Sequence, residues 1–296
     1  MNNDSKATAK YYVPEPSYWP IIGSVAAFFT LLGAAHWIHK DGSGPYLFGF
    51  GFMLLLVMLF GWFGKVIREN QEGLLSGEQV ERTFRYAMMW FIFSEVMFFF
   101  AFFGALFYVR VFNLDWLGGV TQHGFFTHIL LWPGFHYSWP LLSNPNSNAF
   151  IGPKSVMETW HIPLLNTILL LTSGLTLTVA HWALIKNKRA VMLLFQLLTV
   201  LLGIAFLRMQ VMEYGLAYMD KALRLGSGIY GSTFFILTGF HMMHVTLGTI
   251  MLIVIFFRMT RRHFTEKNHF AFEATAWYWH FVDVVWLLLF IFVYWI

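Results

Sequence analysis

The stretch WYWHFVDVVWLLLF, residues 277–290, decides the fold class, because it is an apolar segment of helical length that nevertheless carries two ionisable residues. His280 and Asp283 are three positions apart, so on a helix they lie on one face, together with Glu273 two turns earlier. An ionisable side chain that faced hydrocarbon would cost about 2.5–3.5 kcal/mol. We therefore expect this face to contact protein, either other helices of the same chain or another subunit.

The whole chain has the composition of a membrane protein. Of its 296 residues, 58% are hydrophobic and 11% are charged, whereas soluble domains carry about 25% charged residues. Phe, Trp and Tyr together reach 20%, which suits lipid-facing surfaces and interfacial belts. The absence of cysteine from the sequence excludes disulfides, thiolate metal sites and iron–sulfur clusters.

Seven stretches are long and apolar enough to cross a hydrocarbon core of about 30 Å, which takes about 20 helical residues. We predict an all-α, polytopic membrane protein that forms a single transmembrane domain over residues 1–296. The segment 111–160, between the third and fourth spans, is rich in Gly, Pro and Asn and is expected to be irregular. The predicted spans are 18–38, 46–66, 84–109, 162–185, 191–213, 229–257 and 273–295.

The distribution of Lys and Arg predicts the orientation, because positive residues accumulate in the inner connections. With the N-terminus inside, thirteen of these residues lie in inner segments and five in outer segments, and Arg208 lies within a span. An odd number of spans then places the C-terminus outside. The inner residues are Lys6, Lys10, Lys65, Arg68, Arg82, Arg85, Lys186, Lys188, Arg189, Arg258, Arg261, Arg262 and Lys267. The outer residues are Lys40, Arg110, Lys154, Lys221 and Arg224.

Glu95 is a single acid in the apolar run FIFSEVMFFFAFF, residues 91–103. The favoured interpretation is a structural acid that ties two helices together by a hydrogen bond. A proton relay, or a contact with lipid or a partner, is the alternative.

Two histidines, His241 and His244, lie three residues apart in TGFHMMHVTLG, residues 238–248. Imidazoles at this spacing could ligate a metal ion or a haem. The sequence offers neither thiolate ligands nor an HExxH-like motif. We therefore favour hydrogen bonding between helices for both residues and predict no metal site.

The sequence excludes several classes of function. It contains no nucleophile with an adjacent base, no glycine-rich phosphate loop and no basic stripe for nucleic acid. The broken helix pairs typical of many secondary transporters are also missing. The polar residues within the spans, together with these missing motifs, predict a helical bundle with buried polar contacts and no catalytic residues. A freestanding transporter, or a haem protein that uses His241, His244 or His280, remains an alternative.

Four charged residues at the predicted inner ends of the spans could hold a phospholipid headgroup. Arg68 and Glu69 follow the second span, Arg85 opens the third and Arg258 closes the sixth. Arginine can bind phosphate bidentately, and Trp62, two turns before Glu69, could lie along an acyl chain or the glycerol region. Alternatively, these are positive-inside residues surrounded by loosely exchanging lipid.

The chain closely resembles subunit III of the haem–copper cytochrome c oxidases. The resemblance extends over all seven predicted spans in the same order. It rests on FRYAMMWFIFSEVMFFFAFFGALF (84–107), IPLLNTILLLTSG (162–174), AHWAL (180–184), GSGIYGSTFFILTGFHMMHVTLGT (226–249) and FEATAWYWHFVDVVWLLLF (272–290).

This resemblance implies two N-terminal helices separated by a V-shaped cleft from a bundle of five. It implies a non-redox subunit of a proton-pumping oxidase in aerobic respiration. Such a subunit contacts subunit I above all and also subunit II, and it supports proton uptake and durability during turnover. The haems and copper belong to those partners, and cytochrome c donates electrons to the complex rather than to this chain. Bound phospholipid in the cleft is also implied, which favours the headgroup interpretation above.

Two related families are alternatives. The third subunit of quinol oxidases is similar but typically has five spans, and a shorter relative accompanies some nitric oxide reductases. The long segment 111–160 and the polar N-terminus resemble bacterial members. We therefore expect a multi-pass protein of a bacterial cytoplasmic membrane, in preference to the mitochondrial inner membrane.

Overall fold

The computed structural model describes residues 15–75, 77–120, 122, 124–136, 138–266 and 268–296, and all regular elements in these ranges are helical. Three residues used to predict the orientation, Lys6, Lys10 and Lys267, lie outside the described residues. The helices are α1 (Trp19–Ile38), α2 (Gly44–Gln71), α3 (Glu78–Tyr108), α4 (Leu114–Leu117), α5 (Phe125–Leu131), α6 (Ile162–Ile185), α7 (Arg189–Met219), α8 (Ile229–Thr260) and α9 (Phe270–Leu289). Two π-helical segments, Val109–Asn113 and Phe290–Trp295, extend α3 and α9.

By length and composition, seven helices of the described chain can cross a membrane. The prediction of an all-α protein with seven transmembrane helices is therefore confirmed. The third of these spans runs without a break from Glu78 to Leu117. The segment 111–160, expected to be irregular, thus begins with helix and also contains α5.

Several helices are longer than the apolar runs from which they were predicted. Helix α3 begins at Glu78 rather than at residue 84, because its first turns are held by ion pairs between residues four apart. Arg82 pairs with Glu78, and Arg85 Nη2 lies 2.9 Å from Glu81 Oε1. The fifth span, α7, continues to Met219, six residues beyond the predicted end at residue 213. Hydropathy marks the apolar layer, whereas charged and polar turns extend a helix past it.

The chain divides into two compact units, residues 1–86 and 87–296. In the first unit, small residues let α1 and α2 approach closely. A Cβ atom on Gly33 would lie 2.1 Å from the Phe48 nitrogen, and one on Gly51 would lie 2.3 Å from the Thr30 nitrogen. The two helices are therefore in backbone contact at these glycines.

In the second unit, α9 is the most buried helix and is anchored by two tryptophans. Trp279 and Trp286 are almost completely buried. The Trp279 indole donates to Ser173 Oγ at 2.9 Å, and the Trp286 indole donates to Thr167 Oγ1 at 2.9 Å. Both hydroxyls belong to α6, so these bonds join α9 to α6 along two turns. Gly203 leaves room for the Trp279 ring, which a Cβ atom would approach to 2.9 Å.

The close approach in the first unit gives a testable difference between two glycines of α2. Gly51→Ala should destabilise the protein, because overpacking of a tight contact typically costs 1–3 kcal/mol. Gly49→Ala is the matched control, since no atom of another helix lies within 4 Å of its added methyl group and alanine is the better helix former. Thermal unfolding of the purified protein in detergent measures both variants. Equal midpoints for the two variants would contradict the backbone contact between α1 and α2.

Candidate functional site

The structure brings Glu95 of α3 and His244 of α8 together. His244 Nε2 lies 2.7 Å from Glu95 Oε2, and His244 Nδ1 lies 2.7 Å from the Phe240 carbonyl oxygen. The imidazole is buried, and the Glu95 side chain is 22% exposed. The sequence placed both residues in spans but gave no indication that they pair.

The backbone partner of His244 defines which atom its Nδ1 nitrogen binds. A carbonyl oxygen only accepts, so His244 Nδ1 carries a hydrogen and donates it to Phe240. The contact between Nε2 and Oε2 is a second hydrogen bond, and it joins α8 to α3.

His241 faces a different helix from His244. Its Nε2 donates to the Val282 carbonyl of α9 at 3.2 Å, and its ring lies 5.2 Å from the Trp286 ring. The second nitrogen, Nδ1, is buried and has no hydrogen-bond partner in the described chain. Because His241 binds α9 and His244 binds α3, imidazoles link α8 to two other helices.

Asp283 and His280 occupy unequal environments at the contact of α9 with α6. Asp283 is buried, and its Oδ2 would lie 2.5 Å from a Cβ atom on Gly174, so the carboxyl packs directly against the α6 backbone. His280 is 45% exposed, with Nδ1 3.8 Å from Asp283 Oδ2 and Nε2 3.5 Å from the Thr178 hydroxyl. Asp283 thus faces this chain's own helix, whereas His280 lies at the edge of the contact.

Glu273 lies two turns earlier on the same stripe of α9 and is partly buried. It contributes to the electrostatic environment of His181 on α6, whose ring lies 5.5 Å from the His269 ring. Ionisable residues therefore follow the α6–α9 contact from His269 to Asp283.

Sequence reasoning missed a fully buried acid, Glu213 of α7. Gln210 Nε2 donates to Glu213 Oε2 at 3.0 Å, and Asn166 Nδ2 of α6 donates to Gln210 Oε1 at 3.2 Å. The predicted end of the fifth span at residue 213 placed this acid at the boundary of the membrane. The spacing of Gln210 and Glu213, three residues apart, was the available signal, since it places both on one helix face.

The candidate lipid-contacting residues of the first unit lie near the adjoining ends of α2 and α3. Trp62 is 45% exposed, and its ring stacks on Phe63 with 6.3 Å between the centroids. Arg68 is exposed, and Glu69 Oε1 lies 3.8 Å from Lys65 Nζ. Arg85, whose partner is Glu81, is one-third exposed. An exposed tryptophan beside mixed charges is typical of a membrane interface.

Arg258 belongs to the second unit and lies in the last turn of α8. Its Cζ is 4.5 Å above the centroid of the Phe264 ring, and its Nε is buried without a hydrogen-bond partner in the described chain. Just beyond the helix, partial burial and the charges of Arg258 and Arg261 lower the pKa of His263 below its usual range. This end of α8 therefore carries a positive potential.

Among the described residues, no group of three or more His, Cys, Asp or Glu side chains is arranged to hold a metal ion. Several polar residues that the structure does bring together form pairs between helices, among them Glu95–His244 and Asn166–Gln210. Such pairs hold helices in register.

Comparison with known proteins gives one consistent result. A family model described as cytochrome c oxidase subunit III matches residues 9–123 and 116–296. Proteins named cytochrome c oxidase subunit 3 from Chondrus crispus, Triticum aestivum and Latimeria chalumnae are 38%, 40% and 39% identical to the chain. Each alignment covers 96% of the chain, and 93%, 96% and 96% of these relatives.

The Glu95–His244 pair predicts that two substitutions of Glu95 differ in their effect on stability. Glu95→Leu leaves His244 Nε2 without a partner in apolar surroundings, which should cost roughly 1–3 kcal/mol. Glu95→Gln keeps the shape of the side chain and a hydrogen-bonding group. Assembly and electron transfer should therefore survive, and the loss of stability should be smaller. Thermal unfolding of the assembled complex measures the difference.

An exposed pair of the same chemistry provides the control. Glu158 Oε2 lies 3.0 Å from His161 Nε2, with side chains 63% and 75% exposed, and exposed pairs contribute about 0–1 kcal/mol. Glu158→Leu should therefore change the unfolding midpoint less than Glu95→Leu. If Glu95→Gln alone abolished electron transfer in an intact complex, Glu95 would be a relay and not a structural acid.

Proposed function

The chain belongs to the cytochrome c oxidase subunit III family, and from this premise we propose that it is the non-redox, lipid-binding subunit that supports subunit I, proton uptake and turnover stability. It is a multi-pass membrane protein and a subunit of an oxidoreductase complex. The observation that carries the proposal is a family match that covers residues 9–123 and 116–296 and so includes all seven long helices. The quinol-oxidase, nitric-oxide-reductase and transporter alternatives are not favoured, since the relatives reported above are all named subunit 3 of cytochrome c oxidase.

In this proposal the haems and copper belong to partner subunits, with subunit I as the main contact and subunit II as the second. Cytochrome c donates electrons to the complex and not to this chain. This proposal is supported by the hydrogen bonds that the histidines of α8 make. His244 binds Glu95 and Phe240, and His241 binds Val282, so both residues serve contacts between helices.

We propose a bacterial cytoplasmic membrane, with the N-terminus inside and the C-terminus outside, in preference to the mitochondrial inner membrane. The orientation is supported by the excess of Lys and Arg in the proposed inner connections. The bacterial placement is supported by the polar N-terminus and the long segment 111–160. The relatives reported above are eukaryotic, and the chain is about equally distant from all three, at 38–40% identity.

Phospholipid contacts are proposed separately in each unit. In the first unit, Arg68 and Arg85 would bind a phosphate, while Trp62 would lie along the lipid and Glu69 would contact an ammonium-bearing headgroup. In the second unit, Arg258 would bind an anionic headgroup, which the positive potential at the end of α8 supports. Each charge near an anionic surface contributes about 1 kcal/mol, so loss of one arginine should weaken lipid binding without unfolding the helices.

Removal of the chain tests the division of labour within the complex. Gentle extraction of this subunit alone should leave the haem and copper stoichiometry unchanged, because the proposal places their ligands in other chains. Initial oxidase activity should largely persist, with slower proton uptake and earlier inactivation during sustained turnover. Metal analysis, optical spectra and stopped-flow proton uptake measure these quantities. Loss of haem or copper with this chain would refute the proposed non-redox role.

The lipid contacts predict a change in the number of tightly bound phospholipids. Arg85→Ala combined with Arg258→Ala should give an assembled complex that retains fewer phospholipids after detergent washing, as counted by native mass spectrometry. Arg82→Ala combined with Arg261→Ala is the matched control, since Arg82 is 68% exposed and Arg261 is also exposed. An unchanged lipid count in the first variant would remove Arg85 and Arg258 from the lipid contacts.

A further inference from the structure

A half-exposed imidazole lies near the middle of the last transmembrane span. His280 is at least about 15 Å along the helix axis from either end of the span Phe270–Trp295, at about 1.5 Å per residue. Its side chain is 45% exposed, although an ionisable group at this depth is costly in contact with lipid. In contrast, His241 and His244 of α8 are buried within the chain. The described residues therefore leave the surroundings of His280 incomplete.

The contacts that His280 makes within the chain are long. Its Nδ1 lies 3.8 Å from Asp283 Oδ2, and its Nε2 lies 3.5 Å from the Thr178 hydroxyl. Both distances exceed the usual range of about 2.7–3.2 Å for an N–H···O hydrogen bond. By comparison, each ring nitrogen of His244 lies 2.7 Å from its partner. The imidazole of His280 can therefore form a closer hydrogen bond with a group that approaches its exposed side.

The residues around this imidazole form an exposed apolar surface. Val284, one turn after His280 on α9, is 56% exposed, and Leu175, one turn before Thr178 on α6, is 70% exposed. The two helices approach closely at Gly174, where an added Cβ atom would lie 3.5 Å from His280 Nδ1. We call the area formed by Leu175, Thr178, His280 and Val284 the α6–α9 surface. Close apolar packing around a hydrogen-bonding side chain is typical of contacts between transmembrane helices.

Lipid can cover the apolar part of the α6–α9 surface but does not provide a partner for the imidazole. The hydrocarbon core is about 30 Å thick, so the middle of a span is far from the polar headgroups. Acyl chains offer no hydrogen bonds. A protein helix, in contrast, can present a polar side chain at the depth of His280.

The first unit of the chain offers few partners for an imidazole at this depth. Residues 47–61 of α2, LFGFGFMLLLVMLFG, contain no hydroxyl, amide or ionisable side chain. In α1, Ser24 and Thr30 donate their hydroxyl hydrogens to carbonyl oxygens of their own helix. Membership of the cytochrome c oxidase subunit III family implies a complex with other subunits. A helix of another subunit is therefore the better source of a partner for His280.

We propose that the α6–α9 surface is the docking site for a transmembrane helix of another subunit of the oxidase complex, which presents a hydroxyl, amide or carboxyl side chain to His280. The inference rests on the proposed function, since it requires partner subunits. The apolar residues pack against the partner helix, and the hydrogen bond to His280 sets its depth and register. His280 and Asp283 thus serve different contacts, because the buried acid packs against α6 while the imidazole binds the partner.

Site-directed photocrosslinking of the assembled complex tests the docking site. A diazirine-bearing aliphatic amino acid, incorporated during synthesis in place of Val284, should crosslink to another subunit, which mass spectrometry identifies. The matched control carries the same amino acid in place of Leu201, which is 53% exposed and lies near the middle of α7. The control should react mainly with lipid. Equal crosslinking to the partner from both positions would contradict docking at the α6–α9 surface.

The other outcomes separate failure of the docking site from failure of the proposed function. If position 284 gives only lipid adducts while the chain still co-purifies with haem-bearing subunits, the docking site is refuted and the proposed function stands. Crosslinks to residues 1–86 of this chain, or to a second copy of it, would refute the proposed occupant. A chain that purifies without any haem-bearing subunit would refute the proposed function itself.

The hydrogen bond of His280 predicts a graded loss of docking. His280→Leu should weaken the association of this chain with the complex roughly three-fold, as expected for an average hydrogen bond between membrane helices. His280→Gln keeps a hydrogen-bonding group and should restore part of the association. Native mass spectrometry after a detergent wash measures the fraction of complexes that retain the chain. Equal retention in both variants and the unchanged protein would show that the imidazole does not bind the partner. The photocrosslink is measured with His280 unchanged, so it tests the surface even where His280→Leu fails to fold.

Discussion

Within the apolar layer, a polar group must find its partner inside the protein, because hydrocarbon offers no hydrogen bonds. The second unit meets this constraint in two ways: hydroxyl groups bond to carbonyls of their own helix, as Thr238 does to Phe234, and other polar side chains bond to a different helix. The indoles of Trp279 and Trp286 bind hydroxyls of α6, and His241 binds the backbone of α9. The same contacts that satisfy these groups therefore determine which helices are neighbours and in what register.

Composition and hydropathy were sufficient to predict the number and order of the seven helices long enough to cross a membrane. They could not predict where the helices end, because the ends depend on local interactions outside the apolar layer. The ion pairs of Glu78 with Arg82 and of Glu81 with Arg85 extend α3 into a turn that reads as a charged connection. The π-helical turn Val109–Asn113 similarly carries helix into a segment whose Gly and Pro content suggested a loop.

For the candidate site, the sequence indicated which residues are unusual but not which of them are in contact. Glu95 and His244 were each recognisable as costly residues within a span, but they are 149 positions apart, and only the packing of α3 against α8 makes them partners. Glu213 was missed for a different reason. It stood at the predicted end of a span, where an acidic side chain can reach water and costs little free energy. The continuation of α7 to Met219 buries it completely.

The two histidines of α8 show how few polar residues are needed to position a helix. Positions three apart differ by 300° around a helix, so two such side chains point in directions about 60° apart. His241 reaches α9 and His244 reaches α3, so α8 is fixed between two neighbours by a single turn.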